Sequence, residues 1–234
     1  MSLLELEHVT LLEGSKGRET LLLNDVSLEI DPGELVAVWG KRRSGRSTLL
    51  RVVAGMQRPD SGVVRFAGRE LAGSGALGEG IGFCGGGLRA TDGWQVLEQM
   101  VGTQLARGVP QPAARSRALN ALERTGAGHC ADRRQYELRG GDAVRTMLAI
   151  ALATEPQLLV LDDAITGVDL LERDEILLLL RSLADEGLAV LTSTDEGTGL
   201  SGADRALALS EGRLRGSVAP RLAPVVPLRR AAGA

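Results

Sequence analysis

The chain lacks most of the residue types by which several protein classes are recognised. Its only cysteines, Cys84 and Cys130, are far apart and without other cysteines near them, which excludes a disulfide framework and gives no zinc-site spacing. Aromatic residues make up 2% of the chain and the formal net charge is −3. Stacking platforms and a basic excess are the usual equipment for nucleic acid, so no nucleic-acid partner is expected. No apolar run, Ile176 to Leu180 included, approaches the roughly 20 residues needed to span a bilayer. The opening stretch MSLLELEHV carries acidic residues and no basic segment, so no secretion signal is expected and the chain reads as cytosolic. Lysine is scarce: Lys16 and Lys41 stand against 25 arginines. His8 and His129 are the only histidines.

With 234 residues and 44% hydrophobic content, the chain has enough apolar material for one large domain, or for a domain with an inserted lobe. LLELEHVTLL (3–12) and LLLNDVSLEI (21–30) read as strands on either side of a polar turn at 13–20. LVAVW (35–39) is a continuous apolar run of the kind a buried parallel strand needs. Directly after it comes GKRRSGRST (40–48), with Gly40, Gly45 and Ser47 at the spacing of a phosphate-cradling loop, and then a helical pattern over 47–55. Strand, glycine-rich loop and helix in that order form the context in which such a loop binds phosphate through backbone N–H groups and a helix N-terminus. Lys41, Ser44, Gly45, Arg46, Ser47 and Thr48 are therefore candidate nucleotide-binding residues alongside Gly40.

Further strands are expected at 62–68 and 80–84, and a mostly helical stretch from Trp94 to Leu152. QLLVLDD (157–163) returns to a buried strand ending in two carboxylates. An amphipathic helix (170–187), a strand (188–193) and a final hairpin (205–216) follow, with a mobile extension expected from Ser217 onward.

LRGGD (138–142), at the start of a helix, resembles the signature motif of ATP-binding cassette (ABC) ATPases. LLVLDDAITGVD (158–169) is similar to that family's Walker B strand, catalytic carboxylate and D-loop, with Asp162, Asp163 and Asp169 in those positions. The likeness runs over roughly residues 3–216, with touches of the lipoprotein-releasing and macrolide-export branch at 13–20 and in IGFC. It implies an α/β fold: a P-loop core with a mixed sheet, an N-terminal antiparallel β-subdomain and a helical lobe at about 90–155, all in one domain over 1–216 with a tail at 217–234. It implies ATP and Mg²⁺ as cofactors, with Ser47 and Asp162 holding the metal. Leu138, Arg139, Gly140, Gly141 and Asp169 would face nucleotide across a dimer. The partners implied are a second ABC cassette, identical or not, and a membrane permease. The permease would dock near residues 85–100 at the cytoplasmic face of the membrane.

Against that family pattern several positions depart. Arg46 stands for the loop lysine, and its planar fork differs in reach from a compact ammonium. Asp163 stands for the catalytic glutamate, one methylene shorter. Ser193 stands for the switch histidine, and Gly86, two positions after IGFC, for the glutamine that contacts metal and water. Gln95 lies nine residues further on. Arg139 replaces the signature serine, and no aromatic precedes Trp39 where the family stacks adenine, near Glu13. Phosphate binding with crippled hydrolysis is the expectation. A homodimer would then hold two dead sites, whereas an intact partner would leave one site lacking only the signature serine. Two alternatives stay open: an active ATPase energising transport by itself, and a soluble cassette without a transporter.

Overall fold

In a computed structural model the described residues are 2–14, 19–85, 93–195, 197 and 201–218. Two sheets organise them. The first is antiparallel, in the order β2-β1-β4-β5, built from β1 (Leu4–Glu13), β2 (Thr20–Ile30), β4 (Ser61–Phe66) and β5 (Arg69–Glu70). The second has six strands in the order β10-β9-β3-β8-β7-β6. These are β3 (Leu35–Trp39), β6 (Ile81–Gly85), β7 (Leu158–Asp162), β8 (Ala189–Thr194), β9 (Arg205–Ser210) and β10 (Arg213–Val218). All its neighbours pair in parallel except β10, which returns antiparallel along β9, so this sheet is mixed.

The continuous apolar runs of β3, β7 and β8 are explained by burial on both faces. Val36, Val38, Leu158, Val160 and Leu191 turn into a core shared with the antiparallel sheet and α1 (Arg46–Val53). The alternate residues Leu35, Ala37, Leu159, Leu161 and Val190 face a second core beneath α4 (Gly140–Leu152) and α5 (Leu170–Asp185). A strand covered on both sides has no polar alternation to show.

The stretch expected to be helical is so: α2 (Val96–Ala106), α3 (Gln111–Arg124) and α4 carry it, with two short 3₁₀ turns between α3 and α4. Val96, Met100, Ala118, Leu122 and Leu138 form a third core. Helix α4 faces both ways, giving Leu148 to the sheet-side core and Leu152 to the lobe. Several boundaries differ from the sequence reading, three of them near the site or the chain's end. Glu13 and Thr20 pair with each other at the ends of β1 and β2, narrowing the polar turn. Ser217 and Val218 belong to β10, opposite Leu207 and Ala206, because the ladder outlasts the apolar pattern. Asp163 falls outside β7 with φ of +49°, a left-handed conformation that ends the strand. Gly86, with the rest of 86–92, and residues 219–234 lie outside the described residues.

Candidate functional site

Parallel strands β3, β7 and β8 all end on the same edge, and the candidate residues gather there. The loop 40–48 leaves β3 with the Gly40 N–H donating to Thr194 C=O at 3.2 Å, which ties it to the end of β8. Ser44 N–H donates to Lys41 C=O at 3.1 Å, closing the turn, and Leu49 N–H to Gly45 C=O at 2.8 Å, opening α1. Glycine is required at 45: φ is +101°, and a Cβ would sit 2.5 Å from Leu22 C=O. Ser44 Oγ is buried with no partner among the described residues, which fits a loop shaped to bind an anion. The groove above it has a volume of about 650 Å³. Glu13, Thr20 and Leu22 from the first hairpin line it together with Arg42, Arg43 and Arg51.

At the floor, Ser47 Oγ donates to Asp162 Oδ1 at 3.0 Å, and Ser193 Oγ donates to the same oxygen at 3.1 Å. Ser193 also accepts the Asp163 N–H at 3.0 Å and is fully buried, so it ties the Asp162 carboxylate to the backbone at Asp163. A hydroxyl beside a carboxylate is a hard-oxygen pair that suits Mg²⁺. Ser47 and Asp162 would hold that ion, and its chemistry would be to draw charge from phosphate oxygens.

Arg46 is 5% exposed and its Nη1 meets Asp163 Oδ1 at 2.6 Å. Two residues 117 apart in sequence thus form an ion pair inside the groove. Burial pushes the Asp163 carboxyl above its ordinary value; the Arg46 charge opposes that rise, and the negative charges of Asp162 and Asp195 add to it.

None of the signature residues is among those that line the groove. Leu138 is buried in the lobe core. Arg139 caps α4 in extended conformation, and its guanidinium folds back to the carbonyls of Tyr136 and Leu138 at 2.6 and 2.7 Å. Gly140 and Gly141 begin the helix, and the Gly141 N–H donates to Glu172 Oε2 at 3.0 Å, so a carboxylate of α5 already occupies that helix N-terminus. Asp169 caps α5, accepting from the N–H groups of Leu171 and Glu172, and these hydrogen bonds hold its carboxyl below the usual aspartate range. Lys41 is exposed at the loop's edge.

Glu172, Arg42, Arg43 and Arg51 were not singled out from sequence, since none occupies a motif position. Cys130, expected to be isolated, lies with His129 and Asp142, their ligand-type atoms within 4.8 Å of one another. Arg133 stands 3.2 Å from Asp142 and supplies the countercharge there. A second cavity of about 440 Å³ lies among Leu3, Leu152, Leu183 and Leu188; its arginine, Arg124, is paired with Glu186 and leaves no anion seat.

A glycine-turned loop between a buried parallel strand and a helix, with a serine hydroxyl on a strand-end carboxylate, defines a P-loop nucleotide-binding protein. The particular family follows from comparison with known proteins. The family model described as ABC transporter matches residues 23–166, and the chain belongs to that family. The sulfate/thiosulfate import ATP-binding protein CysA of Escherichia coli (strain K12) is 34% identical over 207 residues, covering 86% of this chain and 57% of that protein. The macrolide export ATP-binding/permease protein MacB 1/2 of Paracoccus denitrificans (strain Pd 1222) is 33% identical over 199 residues, covering 82% of this chain and 30% of its own length. The chain thus spans little more than half the length of the first relative and less of the second. Among solved structures, cbiO1 from Clostridium perfringens, part of the ABC transporter complex cbiONQ, superposes with a TM-score of 0.82 at 26% identity, covering 94% of this chain and 89% of that one. A dimeric ATP-binding cassette in a post-hydrolysis state bound to ADP and Pi gives 0.80 at 23% identity, over 92% and 97%, which speaks for the fold.

Proposed function

We propose that the chain is the ATP-binding subunit of an ABC transporter. In this reading it binds Mg-nucleotide at 40–48, pairs with a second cassette and docks on a membrane permease, while its hydrolysis is impaired. No helix among the described residues is long and apolar enough to cross a membrane, so attachment to the cytoplasmic face would come through the permease.

The observation that carries the impaired chemistry is the 2.6 Å pair between Arg46 and Asp163. Phosphoryl transfer to water needs a positioned group to orient the water and free positive charge on the transferred phosphoryl. Here the residues in those two positions neutralise each other. Asp163 is also shorter than glutamate by one carbon–carbon bond, about 1.5 Å. Ser193 is fully buried and engaged with Asp162 and the Asp163 N–H, and Gly86 has no side chain to offer. Each missing group costs on the order of 10² to 10⁴ in rate, and groups that act together do not add simply. Binding survives in this reading because the backbone cradle and the Ser47 and Asp162 pair are in place.

The intact Ser47 and Asp162 pair favours a second reading, an active ATPase, which phosphate release by the purified chain would reveal. Calorimetry with Mg-ATP tests binding, and no heat at millimolar nucleotide would contradict the proposal. Purification from membranes tests the docking, with a co-purifying permease expected.

A further inference from the structure

We infer that His129, Cys130 and Asp142 form a binding site for a divalent metal ion of the zinc class, which clamps the helical lobe. None of the three lines the nucleotide groove, so the site stands apart from it. His129 and Cys130 belong to a 3₁₀ turn (Gly128–Cys130) that follows α3, and Asp142 lies in the first turn of α4. An ion held by all three would tie that turn to the start of α4. In sequence His129 and Asp142 are 13 positions apart, and no zinc-finger spacing announces them. In the fold one ligand-type atom from each residue lies within 4.8 Å of the other two.

An imidazole nitrogen, a thiolate sulfur and a carboxylate oxygen are the donors zinc takes, at roughly 2.0–2.3 Å from the ion. Tetrahedral geometry at those lengths sets the donor atoms about 3.3–3.6 Å apart. His129 Nε2 and Asp142 Oδ1 stand 2.9 Å apart, so admitting an ion between them asks for a separation of only a few tenths of an ångström more. The His129 ring is exposed and free to swing that far. Cysteine makes the site soft, in contrast to the hard-oxygen pair of Ser47 and Asp162 that suits Mg²⁺.

Two neighbours are placed to support the ligands. Arg133 donates from Nη1 to Asp142 Oδ2 at 3.2 Å and from Nη2 to Glu137 C=O at 3.3 Å. Asp142 is thereby held through one oxygen while the other faces His129, the arrangement of a ligating carboxylate fixed from outside. Thr146 is fully buried, and its Oγ1 has no hydrogen-bond partner among the described residues. Burial pushes the Cys130 thiol above its ordinary value, and the Thr146 hydroxyl beside it works against that rise. A buried hydroxyl without a partner is costly, and a metal-bound thiolate supplies it with a charged acceptor. On binding, the thiol proton leaves for solvent and the sulfur lone pair goes to the ion.

The test uses the full chain, stripped of metal by a chelator and titrated with Zn²⁺ alone. Calorimetry should show a single ion bound per chain with a micromolar or tighter Kd, and the thermal midpoint should rise. Excess Mg²⁺ should leave this binding unchanged, which separates it from Ser47 and Asp162. Co²⁺ in place of Zn²⁺ should give a near-ultraviolet sulfur-to-metal charge-transfer band, the signature of a bond to cysteine. Cys130→Ser should remove that band. His129→Ala, at an exposed position where folding is not at stake, should weaken Zn²⁺ binding at least tenfold, because ligand loss costs no less than loss of an outer-shell partner. Absence of binding at about 100 µM Zn²⁺, a weak affinity for such a site, overturns the inference. So does Zn²⁺ binding that His129→Ala leaves unchanged, or Co²⁺ binding without the charge-transfer band.

Discussion

Replacing Asp163 by Asn should tighten nucleotide binding. Asp163 Oδ1 holds the Arg46 guanidinium at 2.6 Å, and an incoming phosphate must compete for that cation. A hydrogen bond to a charged group contributes about 1.5–3 kcal/mol. The Asp163 side chain is 35% exposed, so solvent screening brings the figure toward the lower end, about 1–2 kcal/mol. Removing the competitor should therefore lower Kd roughly 5- to 30-fold. Mg-ADP is the ligand of choice, since it excludes any gain from trapping an unhydrolysed substrate. The gain should vanish when Asp163→Asn is made on an Arg46→Met background, because the competition requires both partners. Unchanged or weaker Mg-ADP binding in the single variant would refute the reasoning. So would an equal gain in the double variant.

Burial outweighs the Arg46 attraction at Asp163, so its folded-state pKa lies above the ordinary value near 3.8. The stability this group contributes is then present below that ordinary pKa and is lost as pH rises through the folded value. The thermal midpoint of the native chain relative to Asp163→Asn should accordingly be higher at about pH 4 than at pH 7, and a difference independent of pH would speak against the assigned cause. Gly45→Ala places a Cβ 2.5 Å from Leu22 C=O at φ of +101°, so a loss of about 2–4 kcal/mol is expected by denaturant unfolding, together with loss of nucleotide binding. Glu172→Gln weakens the carboxylate's hold on the Gly141 N–H and should destabilise by about 0.5–1 kcal/mol, read from the urea midpoint. A larger loss would mean that Glu172 does more than occupy that helix end.

The layout of the fold was legible because its signals are local. LVAVW reads as a buried strand from five residues, and the loop and helix that follow need no knowledge of the rest of the chain. The helical lobe was legible for the same reason, its elements α2, α3 and α4 each carrying their own periodicity. Ends of elements were less so: Ser217 and Val218 extend β10 through backbone pairing with β9, which side-chain pattern does not encode. Within the site, Arg46 and Asp163 were each recognised as departures from a family pattern, yet their contact joins residues 117 positions apart and follows only from β3 and β7 ending on one edge. Glu172 escaped notice because a glutamate in the first turn of a helix is commonplace, and nothing in its neighbours points to the end of α4. Ser193 was assigned from its place after a strand, while its hydrogen bonds depend on β8 lying between β3 and β7.

The most direct test of impaired chemistry is release of inorganic phosphate by the highly purified, unmodified chain under saturating Mg-ATP, with Asp163→Asn run beside it. No release above the no-protein background is the predicted result, with the two proteins indistinguishable. Turnover near 1 s⁻¹, at the low end of working enzymes, that Asp163→Asn abolishes would contradict it.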